Sequence, residues 1–236
     1  MQKNSTICRL FSTACCLLAT TIASTCNGEA PNPKTMRLYT NGPLTIADYS
    51  SKPANAPAGF GAMTDTELRY HSEYEILSTP VGITCRVKKL IFYAVLSPKT
   101  SWADPNRIEA LLEHEQGHFD ITHKHALLAK KTLEPKALRR QLSETAATAE
   151  LARDLLAKRL EKEVRPFSER GVAENKAYDE ATRHGTLPEA QAEWRARQKQ
   201  EIAELSNDKA KKAPPKKNGA EGSKVTTGAT TPISGP

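Results

Sequence analysis

Residues 104–131 have the sequence DPNRIEALLEHEQGHFDITHKHALLAKK, and this stretch decides the fold. Asp104 followed by Pro105 is typical of a helix start, with aspartate as the N-cap and proline at the first helical position. Apolar side chains then recur at helical spacing, at Ile108, Leu111, Leu112, Phe119, Ala126 and Leu127. The stretch therefore predicts an amphipathic helix that ends near Lys131.

The predicted helix contains an H-E-x-x-H pattern formed by His114, Glu115 and His118. Histidines four residues apart lie on one helical face, about 6 Å apart at Cβ, so both rings can bind one ion. Glu115 then lies beside the open position of that ion, where it can take a proton from a zinc-activated water. We predict that His114 and His118 bind Zn²⁺ and that Glu115 is the general base. The competing interpretation is two core histidines on an amphipathic helix.

A catalytic zinc site usually has three protein ligands and a water, so a third ligand must come from elsewhere in the chain. His184, at the end of a later predicted helix, is the first candidate. Asp179 is the alternative third ligand, and Glu180 is considered with it. If His184 binds the metal, Asp179 can orient a ligand imidazole through its free N–H. His184 can also be a last-turn histidine that the helix dipole favours.

The segment before the helix is strand-like from Met36 to about Ala103. Residues 67–76 alternate polar and apolar side chains, and residues 82–96 are rich in β-branched and aromatic side chains. A turn-like Pro and Gly cluster at 79–82 separates them. We predict a small antiparallel sheet of about three to five strands.

The C-terminal half of the chain has helical periodicity. The predicted helices are Pro135 to Val164, Glu169 to His184, and a last one that contains Trp194 and Ile202 and ends at Leu205. Pro166 ends the first of these, and Gly185 suits the position after the second. Thr186 and Glu189 have the spacing of a capping box that opens the last helix.

The N-terminus has the layout of a secretory signal peptide. Lys3 and Arg9 precede an acid-free apolar run, residues 10–24, which is too short for a stable membrane span. We predict a signal peptide over residues 1–25, with cleavage after Ala23 fitting the small-residue rule. The alternative is a lipid anchor on Cys26. The chain is therefore expected to be exported, periplasmic or secreted, without a transmembrane segment.

The net charge of +7 is concentrated at the ends of the chain. Residues 206–236 carry six lysines against two acidic residues, and residues 10–205 are close to neutral. No basic face is therefore expected to bind nucleic acid. The lysine-, proline- and glycine-rich stretch 206–236 predicts a disordered tail.

Two cysteines would remain after removal of the leader. In an oxidising compartment Cys26 and Cys85 can pair. The alternative is that Cys85 is a small core residue and Cys26 is free or acylated.

The stretch Leu112–Ile121 (LEHEQGHFDI) resembles a bacterial family of uncharacterised secreted or periplasmic proteins that are classed as zinc-dependent proteases. Further blocks with this resemblance are Pro43-Leu44-Thr45, Asp48-Tyr49, Ala62-Met63-Thr64, Ser101-Trp102, and Tyr178 to Gly185 with Gln191 and Trp194 after it. The blocks span about residues 38 to 205. Ile46 departs from the family pattern, which favours an aromatic residue there.

These observations predict an α+β protein: a small antiparallel sheet, then the HExxH helix, then a helical C-terminal half. The resemblance implies a zincin-like metalloprotease domain over residues 26–205. A sheet edge near the site would bind a peptide or protein substrate by β-addition, and Tyr178 or Arg183 could stabilise the oxyanion. The alternative is a non-catalytic envelope binding protein with a structural or vestigial zinc site. Metal-dependent hydrolysis of another substrate fits the same motif. The oligomeric state is not predicted.

Overall fold

The computed structural model describes residues 31–32, 35–56 and 60–207, and the secondary structure below refers to them. The elements in chain order are β1 (Arg37–Leu38), β2 (Ser50–Ser51), β3 (Ala62–Met63), β4 (Thr66–Thr79), β5 (Gly82–Leu96), β6 (Trp102–Ala103), α1 (Ile108–Leu138), β7 (Ser143–Ala146), α2 (Ala149–Thr182) and α3 (Pro188–Asn207). The predicted α+β class is therefore confirmed.

A long antiparallel hairpin of β4 and β5 forms the centre of the larger sheet. Its register runs from Thr66 opposite Leu96 to Thr79 opposite Gly82, with a shift between Glu73 and Tyr74. Strands β1 and β7 pair with the other side of β5. The polar–apolar alternation in β4 and the β-branched residues of β5 predicted this hairpin, and the structure confirms both strands.

A second, smaller sheet has the strand order β2-β6-β3. Strand β6 pairs antiparallel with β3 and parallel with β2, so the strands before α1 are not all antiparallel as predicted. The two-residue strands β2, β3 and β6 carry too little side-chain alternation to be recognised individually. They bring the chain around residue 64 close to α1.

Strand β7 corrects the predicted order of sheet first and helices afterwards. Residues 143–146 were expected inside a helix, but they pair with β5, from Ile83 opposite Ala146 to Arg86 opposite Ser143. Leu142, just before the strand, is fully buried, and its carbonyl accepts from the backbone N–H of Val87. Pairing with the free edge of β5 thus makes residues 143–146 a strand, although their own hydrophobic pattern is too weak to indicate one.

The predicted helix boundaries at two prolines are wrong. Helix α1 continues through Pro135 to Leu138, and α2 continues through Pro166, so the two helices predicted before and after Pro166 are one. Proline inside a helix costs about 3 kcal/mol. Val164 and Phe167 on either side of Pro166 are buried in the same core, and each buried side chain of this size contributes about 2 kcal/mol. Packing therefore offsets the lost hydrogen bond.

The predicted starts of two helices also shift. Asp104 forms a turn in which its carboxylate accepts from the N–H of Asn106, and α1 begins only at Ile108. The Thr186 hydroxyl donates to the carbonyl of Arg183, at 2.7 Å, instead of capping α3. Helix α3 begins at Pro188 and ends at Asn207, two residues beyond the predicted end. In each case a local turn takes the side chain that was expected to cap the helix.

The main core lies between the larger sheet and helices α1 and α2. Cys85 is a fully buried member of it, and the predicted partner Cys26 lies outside the described residues. The predicted signal peptide and the tail beyond residue 207 also lie outside them. Within the described ranges, no helix is both long and apolar enough to cross a membrane.

Candidate metal centre

Helices α1 and α2 bring three metal-binding side chains together. Nε2 of His114 and Nε2 of His118, one turn apart on α1, are 3.2 Å from each other. Oδ1 of Asp179, on α2, is 3.1 Å from each of these two nitrogens. The three ligand atoms therefore form a nearly equilateral triangle.

The size of this triangle fits a zinc ion. Zinc binds imidazole nitrogen and carboxylate oxygen at about 2.0–2.1 Å, so two ligand atoms of a tetrahedral site are about 3.3 Å apart. The separations of 3.1–3.2 Å are close to that edge length. Two neutral imidazoles and one carboxylate are also a donor set that zinc prefers, and a fourth position would remain for water or substrate.

The third member of the cluster is Asp179, the alternative ligand, rather than His184. Nδ1 of His184 lies 3.2 Å from Oδ1 of Asp179, and half of the His184 side chain is exposed. His184 thus contacts the carboxylate from the side facing solvent. Glu180 is 70% exposed and its nearest cationic partner is Lys176, at 3.8 Å, so its side chain points away from the cluster.

The backbone after α2 explains where His184 lies. Arg183, His184 and Gly185 have φ angles of 48°, 54° and 79°, three consecutive residues in the left-handed region. The first two are strained for residues with a Cβ. Helix α2 ends at Thr182, two residues before the predicted end at His184, so Gly185 is the last residue of this turn. A Cβ on Gly185 would lie 3.0 Å from Cγ of His114. The turn therefore passes directly against the first histidine of the motif.

A hydrogen bond from outside the cluster orients the His118 ring. Nδ1 of His118 is 2.9 Å from Oδ1 of Asn175, one turn before Asp179 on α2. An amide oxygen accepts a hydrogen bond, so Nδ1 carries a proton, and Nε2 is the nitrogen that faces the cluster and would bind a metal once it is deprotonated. The pattern of the sequence did not indicate Asn175. Its position four residues before Asp179 on the same helix is the signal that could have done so.

In the absence of metal, the contact between His118 and Asp179 favours a protonated imidazole and an ionised carboxylate. Burial lowers the pKa of His118, but the hydrogen bond and charge of Asp179 outweigh it and raise that pKa to about 9. Burial raises the pKa of Asp179, while hydrogen bonds from His114, His118 and His184 hold it well below the usual range. A carboxylate that stays ionised and surrounded by imidazoles is suited to bind a cation.

Glu115 is held by a chain of hydroxyl groups from the small-sheet region. Its side chain is almost fully buried, and the Thr64 hydroxyl donates a hydrogen bond to Oε2. The hydroxyl of Tyr49 lies 2.9 Å from Oγ1 of Thr64. Burial and then the charge of Glu115 raise the pKa of Tyr49, which therefore stays protonated. Thr64 and Tyr49 belong to two of the blocks that carry the resemblance, and no role was predicted for either.

The Tyr178 ring packs against the rings of both motif histidines, His114 and His118. Its ring stacks on His114, with centroids 4.7 Å apart and planes 20° apart, and meets His118 edge-on at 5.2 Å. The ring is fully buried and its hydroxyl donates to the His114 carbonyl. Tyr178 is therefore unavailable to stabilise an oxyanion. The side chain of Arg183, the other residue considered for that role, is exposed after α2.

Gly117 is required by this packing. A Cβ on Gly117 would lie 2.4 Å from the Tyr178 hydroxyl oxygen and 2.5–2.6 Å from ring carbons. Such contacts are far below van der Waals distance, so only glycine allows the tyrosine ring to lie against α1 at this point.

A buried polar network is centred on Asp120 of the same helix. Its Oδ1 accepts from Nε2 of Gln116 at 2.7 Å and from the hydroxyl of Tyr39 at 3.0 Å. Its Oδ2 accepts from Arg195 of α3 at 2.6 Å. Gln116 in turn accepts the backbone N–H of Leu44 at 2.7 Å. This network ties the N-terminal segment and α3 to the helix that carries the histidines.

The chain matches no protein-family model, no curated protein and no solved structure.

Proposed function

We propose that the chain is a zinc-dependent peptidase that acts outside the cytoplasm. The observation that carries the proposal is the triangle of His114, His118 and Asp179. The buried Glu115 lies next to this triangle, on the helix that carries the two histidines. The signal-peptide pattern at residues 1–25 supports export.

Each side chain then has a chemical task. Zinc bound by the three ligands would lower the pKa of a water molecule and polarise a substrate carbonyl. Glu115 would accept the proton of that water and return it to the leaving amine. The hydrogen bond from Thr64 restricts the Glu115 carboxylate to one orientation, which reduces the reorganisation that proton transfer requires.

The strand β3 is the candidate binding edge for an extended peptide. It pairs with β6 on one side and, in the part of the chain that the structure describes, with no strand on the other. Thr64, directly after it, contacts Glu115. A peptide added along this edge would pass close to the general base.

The number of ligands favours catalytic rather than structural zinc. Structural zinc sites are usually closed by four protein ligands. Among the described residues, the cluster offers three ligand atoms within 4.8 Å of one another. Asp179 is also 30% exposed, so the site has a side open to solvent.

The test combines metal content with peptide cleavage. Mature protein purified without chelator is expected to contain one zinc per chain and to cleave a mixed library of unstructured peptides. Glu115→Gln should keep the zinc and lose at least about 100-fold in rate, the usual contribution of a general base. His118→Ala should lose both zinc and cleavage.

A matched control is Glu113→Gln, since Glu113 is exposed on the same helix and should leave both properties unchanged. Wild-type protein with zinc but no cleavage of any peptide, and Glu115→Gln protein that behaves like wild type, would favour the non-catalytic alternative. Protein without zinc would contradict the proposal directly.

A further inference from the structure

Two buried polar atoms without a hydrogen-bond partner lie against the same glycine. Within the described residues, Nδ1 of His114 and Oε1 of Gln191 are both buried and unpaired. A Cβ built on Gly185 would lie 3.0 Å from Cγ of His114 and 3.3 Å from Oε1 of Gln191. The two unpaired groups therefore flank one point beside the candidate metal centre.

The two groups are chemically complementary. If His114 binds the metal through Nε2, its Nδ1 carries a proton and is a hydrogen-bond donor. The amide oxygen of Gln191 is an acceptor. A buried donor or acceptor that stays unsatisfied destabilises the fold, so a hydrogen bond between these two groups is favourable. The second histidine of the motif already has such an acceptor, because Nδ1 of His118 lies 2.9 Å from the amide oxygen of Asn175.

Gln191 belongs to the face of α3 that packs on α1. Residues 191, 194, 195 and 198 recur at helical spacing. Trp194 packs against Tyr178 with ring centroids 5.5 Å apart, and Arg195 bonds Asp120. Gln198 donates to the carbonyl of Gly117. This face covers the back of the HExxH helix, so Gln191 is held in a buried position close to His114.

We propose that Gln191 is a positioning residue for the metal ligand His114, accepting the hydrogen bond of its Nδ1–H directly or through one water molecule. This inference rests on the proposed zinc centre. The acceptor fixes the tautomer and the orientation of the His114 ring, as Asn175 does for His118. The absence of a side chain at Gly185 leaves the space between the two groups open. Helix α3 thereby takes part in metal binding without supplying a ligand.

Substitution of Gln191 by residues of similar size and shape tests the proposal. Gln191→Met removes the acceptor with little change in length, and is expected to weaken zinc binding about 10–100-fold in competition with a chromophoric chelator. Gln191→Glu keeps an acceptor and should bind zinc at least as tightly as the wild type. Gln198→Met is the control, since it removes a buried amide of the same helix that faces a backbone carbonyl instead of a ligand. Its zinc affinity should stay close to wild type.

A spectroscopic measurement separates positioning from general loss of structure. In zinc-loaded protein with ¹⁵N-labelled histidine, the Nδ1 proton of His114 should resonate downfield in wild type and Gln191→Glu, and upfield in Gln191→Met. Urea unfolding of the metal-free variants reports their stability. If Gln191→Met fails to fold, Gln191→Asn, which withdraws the acceptor by one methylene, makes the same comparison.

The outcomes separate this inference from the proposed function. Equal zinc affinity and an unchanged Nδ1 proton in Gln191→Met overturn the role of Gln191 and leave the zinc centre standing. Equal weakening by Gln191→Met and Gln198→Met likewise overturns a specific role. Wild-type protein that binds no zinc overturns the metal centre and this inference together.

Discussion

At the scale of single residues, Asp179 makes the central contacts of the site. Its Oδ1 lies 3.1 Å from both motif histidines and 3.2 Å from Nδ1 of His184. One carboxylate thus faces three imidazoles. The geometry assigns it the place of third ligand in the proposed centre, with His184 as its hydrogen-bond donor.

Substitution of these two residues should therefore have unequal effects. Asp179→Ala should weaken zinc binding by more than about 100-fold because a ligand is lost. His184→Ala should weaken zinc binding by only about 10-fold, because it removes the hydrogen bond that orients Asp179 and leaves the ligand in place. Chelator competition on both variants measures this. A larger effect of His184→Ala would restore His184 as the third ligand.

Gly117 is a second decisive residue, because Tyr178 occupies the space of its missing side chain. Gly117→Ala should lower the free energy of unfolding by about 1–3 kcal/mol through overpacking, although alanine favours a helix by about 1 kcal/mol. The comparison is Gly171→Ala in α2, where the new Cβ would lie 3.4 Å from His125. That variant should be neutral or more stable. Urea unfolding of both, without metal, makes the test, and a stabilised Gly117→Ala would contradict the packing argument.

At the scale of elements, an ion network joins the three helices beyond the metal centre. Lys124 of α1 pairs with Glu174 of α2 and, at 2.7 Å, with Glu201 of α3. Nε2 of His125 lies 2.9 Å from the other oxygen of Glu174. Each helix contributes a charge, so the network links their relative positions.

This network should make stability depend on pH. Burial raises the pKa of Glu174, but hydrogen bonds from His125 and Lys124 outweigh it and lower the pKa below the ordinary value of a glutamate. The unfolded chain therefore binds the proton more readily, and the stabilisation is complete above about pH 5 and is lost as pH falls through the lower, folded pKa. Glu174→Gln should be less stable than wild type by about 2 kcal/mol near pH 7 and approach it in acid. Unfolding in urea from pH 3 to 7, with chelator and with Glu189→Gln as a surface control, measures the difference. A constant gap across this range would contradict it.

The elements also differ in how far their own sequence determines them. The hairpin β4–β5 and the first helix follow from clear periodicity, and both were predicted. The predicted helix breaks before Pro135 and at Pro166 are wrong, since buried residues on both sides of each proline pack in the core and the helices continue. Strand β7 depends on pairing with β5, and its four residues are too few to predict a strand from their sequence.

At the scale of the whole molecule, the proposed ligands join parts of the chain about sixty residues apart. A metal that binds only the folded state stabilises it by about 2.7 kcal/mol when its free concentration is 100 times Kd. Zinc should therefore raise the thermal midpoint of wild type and of Glu115→Gln, and leave His118→Ala unchanged. Scanning calorimetry with and without zinc measures the shift. An equal shift in His118→Ala would locate the ion elsewhere.

The sequence by itself determined the α+β class, the central hairpin and a helix that carries His114, Glu115 and His118 at the spacing of a metal site. These features depend on side-chain periodicity within short segments, which the local backbone geometry dictates. Only the tertiary structure decided that Asp179 joins the histidines, that Thr64 and Tyr49 hold Glu115, and that Gln191 lies beside His114. These contacts cross long sequence separations, so they follow from how helices and strands pack and not from the pattern of any one segment.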